Sequence, residues 1–290
     1  METSASCHTE DQRQPLITSL HDLVLMESFD TFTGARQGLT FLHITKDEEV
    51  YFGQSFRNKH EMKPEDFSAA MRLVPEAEIF PQIPTDTALT VAVENLESIF
   101  VKRTGLMVYQ LRQGRSDTAR CLLNETLIME QISRSPHPNI VQYHGCRVRR
   151  GRITGIVLEK LPQTLATYAT TPDFQHLDKV KVFAAVESAV HHLHTLGLAH
   201  NDISSLNIMM KEGGVPVLID FDSCAAFGER LQSMGSPGWC EEAFHMSAKK
   251  HDLYSLKVLR EWLETPKTHW EMAAKSKESL AKPGQLSDQP

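Results

Sequence analysis

The sequence predicts an α+β chain whose strands come first and whose helices follow, and two observations carry that reading. Short apolar runs of strand length, separated by charged or proline-rich stretches, dominate up to about residue 159. Residues 180–196 then place Val182, Phe183, Val186, Val190, Leu193 and Leu196 at three- and four-residue steps, the spacing of one buried helix face. Hydrophobic residues make up 41% and charged residues 23%, ordinary proportions for a folded globular chain, and 290 residues leave room for one domain or two.

Residues 1–15 read as a loose polar tail. Leu16, Ile17, Leu20, Leu23, Val24 and Met26 are spaced more like a helix than like an alternating strand, so 16–26 is expected to be helical. Residues 39–44 and 50–56 flank Lys46-Asp47-Glu48-Glu49 and read as two strands joined by a charged turn. A helix is expected over 64–73. Pro75, Pro81 and Pro84 then mark a linker, which divides a region 1–85, of unassigned fold, from a domain over 86–264. In that domain 88–93, 99–102 and 107–111 read as strands, 119–132 as a helix with Leu122, Leu123, Ile128, Met129 and Ile132 near one face, and 153–159 as a further strand. The helix over 180–196 stops at Gly197, a residue suited to a left-handed C-cap. Residues 265–290, rich in Lys, Ser, Gln and Pro, are expected to be a disordered tail, and no repeat at solenoid periods is evident.

A formal charge of -7 and a pI near 6.1 give no basic field for a phosphate backbone, so a nucleic-acid partner is not expected. The five cysteines are scattered, odd in number and never form a C-x-x-C pair, against a disulfide framework and against a zinc site. The amino terminus has neither the apolar run of a secretory signal nor the arginines of a transit peptide. No stretch approaches the ~18 consecutive apolar residues of a membrane span. The expectation is an intracellular protein, cytoplasmic or nuclear, without a membrane partner.

Chemistry concentrates after the helix capped by Gly197. In His200-Asn201-Asp202-Ile203-Ser204-Ser205-Leu206-Asn207 an Asp and an Asn lie five residues apart on one loop, and the apolar strand 215–219 then ends at Asp220-Phe221-Asp222. The amide oxygen of Asn207 and the carboxylate of Asp220 are oxygen ligands suited to magnesium. Asp202 is then available to accept a proton from a hydroxyl nucleophile. His191, His192 and His194 have no carboxylate or cysteine partner in view, and a structural role is expected of them.

H-x-D-x-x-x-x-N, followed by a hydrophobic strand and D-F, resembles the catalytic and metal-binding loops of protein kinases. His137-Pro138-Asn139-Ile140-Val141 resembles the segment after the kinase C-helix, and Leu193-His194-x-x-Gly197-Leu198-x-His200 the approach to its catalytic loop. Small fungal protein-kinase-like chains with H-N-D-I-x-x-x-N-I-M, I-D-F-D-S and P-G-W are the most similar members, and the likeness covers roughly 89–264. It implies a two-lobed α+β protein-kinase-like fold, with a small β-rich N-lobe and a truncated helical C-lobe, using ATP and Mg2+. It makes Asp202 the catalytic acceptor and gives Asn207 and Asp220 the magnesium. Lys102, paired with Glu125, would hold the ATP phosphates, and Glu159 to Leu161 would be the hinge that meets adenine. Arg103 and Glu130 are the competing cation and carboxylate. Asp252 resembles the structural aspartate that opens the long C-lobe helix.

The chain also departs from the family. Residues 87–100 contain no glycine, so the loop over the phosphates is missing from its place, and only Gly34 and Gly38 offer a substitute. Ser204 and Leu206 stand where kinases carry a catalytic-loop cation. Asn201 replaces the arginine that meets an activation-loop phosphate, and Asp222 replaces the glycine of D-F-G. The expected activity is transfer of the ATP γ-phosphoryl to a serine or threonine hydroxyl of a protein. The alternatives are a pseudokinase acting as a binding module and a small-molecule phosphotransferase of the aminoglycoside and choline kinase type.

Overall fold

The structure, a computed structural model, describes residues 14–30, 35–93, 96–103, 109, 117–231 and 235–280. The chain divides into two compact units. One comprises Met1–Pro84, Arg103–Leu122 and Val148–Thr154; the other comprises Thr85–Lys102, Leu123–Arg147 and Gly155–Pro290.

The first unit is built on an antiparallel meander of β1 (Val24–Phe29), β2 (Arg36–Ile44) and β3 (Val50–Ser55), which continues through α1 (Pro64–Ala70), β4 (Met71–Leu73) and α2 (Glu76–Ile79). The sheet buries both faces. Leu39, Phe41 and Tyr51 pack with Ile17, Phe67 and Met71 on one side, and Phe52 meets Tyr109 on the other, with ring centroids 5.2 Å apart. Gly53 lies opposite Phe41, where a Cβ would come within 2.3 Å of the ring, so the strand can pass only without a side chain. The buried Glu48 carboxylate accepts from Arg103 Nη2 (3.2 Å) and from Thr154 Oγ1.

Residues 16–26 are not the expected helix. Ser19 caps a single 3-10 turn, Leu20–Asp22, and β1 follows. Leu23 and Leu25 face the core while Val24 and Met26 face out, so the apolar spacing that matched a helix is used at period two. The expected strand 88–93 is reduced to one bridge, Val91 to Cys146. It is held because Gly145, at φ +122, lets the chain approach so closely that a Cβ would stand 2.6 Å from Thr90 O. The expected strand over 107–111 lies outside the described residues apart from Tyr109, as do residues 1–13 of the tail.

Along the chain β5 (Ile99–Lys102) is followed by α3 (Asp117–Ser133), β6 (Tyr143–Arg149) and β7 (Arg152–Glu159), of which the second unit holds β5, α3 from Leu123, β6 to Arg147 and β7 from Gly155, and the three strands form a sheet in the order β5-β7-β6. Then come β8 (Gln163–Thr164), α4 (Leu165–Tyr168), α5 (Lys179–Thr195), β9 (Leu198–Ala199), β10 (Ile208–Lys211), β11 (Val215–Leu218), β12 (Ala225–Ala226), α6 (Lys249–Glu264) and α7 (His269–Leu280). Helix α5 starts where the Asp178 side chain accepts from Lys181 N (3.0 Å) and ends before Gly197 at φ +80. It buries Val182, Phe183, Val186, Val190 and Leu193, and its neighbour α6 buries Leu256, Leu259, Trp262 and Leu263. Two small pairings, β10 with β11 and β9 with β12, lie on this helical base and carry the loops described next.

The stretch expected to be a disordered tail holds α7 up to residue 280; 281–290 lie outside the described residues. The correction has a local cause. Met272 is buried, and Gly238 at φ +83 lies so close that a Cβ would stand 2.3 Å from Met272 O. Polar composition hid one apolar anchor.

Candidate active site

Three backbone features bring the site together. The loop after β9 carries Asp202 and Asn207, and it is tied to the end of β11 because Ile219 N donates to Asn207 O (2.9 Å). His200 adds a second tie. Its Nδ1 accepts from Asp202 N (3.3 Å), which leaves Nε2 to donate to Ile219 O (3.0 Å). Third, Asp252 of α6, fully buried, accepts from the backbone of His200 (2.9 Å) and Asn201 (2.7 Å) and meets His194 Nε2 at 2.8 Å. The loop is therefore fixed from below before any ligand arrives.

Asn207 Nδ2 donates to Asp202 O (2.8 Å) and Asp202 Oδ2 (3.0 Å), which turns the amide oxygen of Asn207 the other way. Asp202 Oδ1 accepts from Ser236 N (2.7 Å). Each carboxylate oxygen has two lone-pair directions, so Asp202 keeps capacity for a hydroxyl. Asp220 sits at φ +63, a left-handed conformation that Asp tolerates better than most residues.

Lys102 Nζ lies 2.6 Å from Glu125 Oε1, 2.7 Å from Asp220 Oδ1 and 3.0 Å from Asp222 Oδ1. Burial disfavours the ammonium, but the three carboxylates outweigh it, led by Glu125, and raise the lysine above its ordinary pKa. Burial drives the Glu125 carboxyl well above its usual range; Lys102 opposes that shift, and Asp222 and Asp220 reinforce it. Glu125 also accepts from Phe221 N (3.2 Å). The competing residues are engaged elsewhere. Glu130 binds Thr90 N (2.6 Å) and Tyr143 OH (2.8 Å), and Arg103 binds Glu48.

The hinge candidates lie at the end of β7. Glu159 is paired with β5, its carboxylate accepts from Gln142 N (2.9 Å) and meets Lys211 Nζ (2.8 Å), and Leu161 is buried. Gly38 lies inside β2 opposite Ser28, so it does not form a phosphate loop; Gly34 lies outside the described residues.

A family model described as the protein kinase domain matches residues 104–281, more than half of the chain. The chain belongs to the protein kinase domain family. Its fold is the family's two-lobed α+β arrangement, with a β-sheet N-terminal region and a helical C-terminal part. Among curated proteins it is similar to the probable serine/threonine-protein kinase mkcB of Dictyostelium discoideum, 31% identical over 111 residues, which are 37% of this chain and 16% of that protein. It is also similar to the serine/threonine-protein kinase Tao of Drosophila melanogaster (28% over 119 residues, 41% and 11%) and to MST20 of Pyricularia oryzae (28% over 146 residues, 48% and 16%). The chain thus spans a fifth or less of the length of these relatives. The match to the family model begins two residues after Lys102, so the place of Lys102 rests on geometry alone.

A kinase domain implies ATP and typically Mg2+, and the donor set fits them. Carboxylate oxygens of Glu125, Asp220 and Asp222 lie within 4.8 Å of one another beside a fixed ammonium, and the backbone carbonyl of Asn207 pairs with Ile219, the residue before Asp220. Hard oxygen donors suit magnesium, and the ammonium suits phosphate. The kinase catalytic-loop cation has no substitute at Ser204, which is 1% exposed and whose Oγ has no hydrogen-bond partner among the described residues. Sequence reasoning missed the share of Lys102 taken by Asp222. The aspartate two residues after Asp220 was its only signal.

No helix among the described residues is long and apolar enough to cross a membrane. A cavity of about 920 Å³ beside α4, α5 and β10 contains none of the residues of this site.

Proposed function

We propose that the chain is an ATP- and Mg2+-dependent protein serine/threonine kinase of a small, reduced type, resembling the small fungal kinase-like chains with H-N-D-I and I-D-F-D motifs. The observation that carries this reading is the single ammonium of Lys102 bonded at once to Glu125 and Asp220. The printed names of the similar proteins, serine/threonine-protein kinases, support the choice of hydroxyl. When bound, magnesium neutralises phosphate charge and orients the nucleotide. Asn207 and Asp220 would hold it, Lys102 fixed by Glu125 would hold the phosphates, and the backbone of Glu159 to Leu161 would meet adenine. Asp202 takes the proton of the substrate hydroxyl as its oxygen bonds the γ-phosphorus and the bond to ADP breaks.

A second reading, a weak or inactive kinase-shaped binding module, is favoured by one observation: Ser204 puts a buried neutral hydroxyl where a transition-state cation is expected. Loss of one such contact costs on the order of 10²-fold or more in rate.

The test is thermal stabilisation by magnesium-ATP against ATP with chelator, in wild type and Asp220→Ala. At nucleotide about 100-fold above its dissociation constant the expected stabilisation is about 2.7 kcal/mol, a rise of several degrees. That rise should need magnesium and vanish in the mutant. No shift in either protein would sink the ATP-site reading. A shift without transfer of labelled γ-phosphoryl to any protein would select the binding module.

A further inference from the structure

Strand β10 joins two parts of the site that lie far apart in the sequence. It starts directly after Asn207 and pairs with β11 on one side and β8 on the other, Met209 opposite Thr164 and Met210 opposite Gln163. Only Pro162 separates β8 from the hinge candidates 159–161, so β10 anchors the chain where it leaves the hinge. Its last residue anchors the chain where it enters. Lys211 Nζ lies 2.8 Å from Glu159 Oε2, while Glu159 Oε1 accepts from Gln142 N (2.9 Å) and Glu159 N donates to Gln142 O (3.0 Å). Both oxygens of the Glu159 carboxylate are thus engaged, between the residue before β6 and the end of β10, and all three residues belong to the second unit. At strand rise, Asn207 and Lys211 stand about 13 Å apart.

We propose that Lys211 is a positioning residue for the nucleotide: through Glu159 it fixes the entrance of the hinge at a set distance from Asn207, along one strand. The proposal rests on the reading of 159–161 as the segment that meets adenine. A nucleotide that touches the hinge with its base and the metal loop with its phosphates needs both ends held at one spacing, and a strand paired on both sides keeps its length. A cation suits the end of that strand, because Gln142 N answers only one oxygen of Glu159. The side chains are 38% exposed at Lys211 and 17% at Glu159, so the pair gains from partial burial without the full desolvation of a buried one. Lys211 borders two cavities, of about 920 and 550 Å³, and neither is lined by Lys102, Asp202, Asn207 or Asp220. Its action on a nucleotide is therefore indirect.

The test separates base from phosphate: the full chain is titrated, in magnesium, with ATP and with tripolyphosphate, which keeps the phosphate charge and lacks the base. Wild type should bind ATP the more tightly. Lys211→Met should weaken ATP by about threefold, the scale of a partly exposed ion pair, and leave tripolyphosphate unchanged. Lys211→Arg should restore the affinity for ATP. Glu159→Gln keeps an acceptor for Gln142 N and loses the charge, so it should show the same loss as Lys211→Met, and the double variant no further loss. An unchanged preference for ATP in Lys211→Met would overturn the proposal and leave the ATP site standing, and so would additive losses in the double variant. A loss shared by both ligands would trace to positive field rather than to the hinge and would overturn it too. Wild type that binds both ligands equally would remove the hinge reading and the proposal with it; wild type that binds neither would sink the magnesium-ATP reading on which both stand.

Discussion

The cluster around Lys102 and the cluster around Asn201 are both buried and both hold loops of the same site, yet they are built from opposite materials. At Lys102 one ammonium answers three carboxylates, of which Glu125 is buried while Asp220 and Asp222 reach solvent, so the buried end of the cluster stands by its ion pair. At Asn201 nothing is charged: the side-chain amide donates to Ala199 O, Ser223 O and Ser247 Oγ and accepts from Ala248 N, and the cluster stands because every donor and acceptor of that amide has a partner. Charge makes the first cluster responsive to a charged ligand, since a phosphate or a metal changes its balance. Saturation makes the second indifferent to charge and dependent on shape.

The widest gap between the two should appear when one partner is removed. Lys102→Met leaves Glu125 buried between two like charges and should cost about 3–5 kcal/mol in urea unfolding, most of it recovered in the double variant Lys102→Met, Glu125→Leu. If Lys102→Met unfolds at the wild-type midpoint, the charged cluster is not holding the loops. Asn201→Ala strands neutral acceptors only and should cost about 2 kcal/mol in the same measurement.

Shape alone is probed at Gly238. Gly238→Ala forces a Cβ toward Met272 O at a positive φ and should cost roughly 1–2 kcal/mol with no change in salt dependence. Asp222→Gly sharpens the charged side. Its side chain is half exposed, so stability should change by less than ~0.5 kcal/mol, while ATP without magnesium should bind roughly threefold tighter for want of one like charge. Unchanged binding would mean that Asp222 does not face the nucleotide.

The smallest effect is a pH effect. Burial, then the neighbouring His192, holds His137 below its ordinary pKa; burial, aided by Lys250, does the same for His251, against an opposing bond to Met246 O. The unfolded chain therefore takes up protons first. The neutral histidines contribute fully above about pH 6.5, and that contribution is lost as pH falls toward the lower folded values. The melting temperature should drop slightly between pH 7 and 5.5, and less in His251→Phe. A flat profile in both proteins would show that neither ring is held neutral by the fold.

Much of the site's local layout was legible because its parts are short-range. Asp202 and Asn207 share one loop, Asp220 ends an apolar strand, and the helix before them shows its buried face at three- and four-residue steps. Residues 16–26 misread because an apolar run that short satisfies two periods, and only the sheet it joins selects one. The tail misread because a single anchor, Met272, decides what composition averages away.

The sequence by itself determined the α+β order of the elements, the catalytic-loop and strand-end motifs, and hence the family to which the chain was expected to belong. Each is written in the spacing of neighbouring residues. The pairing of Lys102 with Glu125 was an expectation of the resemblance; only the tertiary structure decided that Glu130 meets Thr90 and Tyr143, that Asp222 takes a share of the same ammonium, and that Asn201 reaches residues 223, 247 and 248. Helical spacing places two glutamates on one element, but which is answered by a cation depends on what lies across from it. For Glu125 that partner is 23 residues away, beyond the reach of helical periodicity.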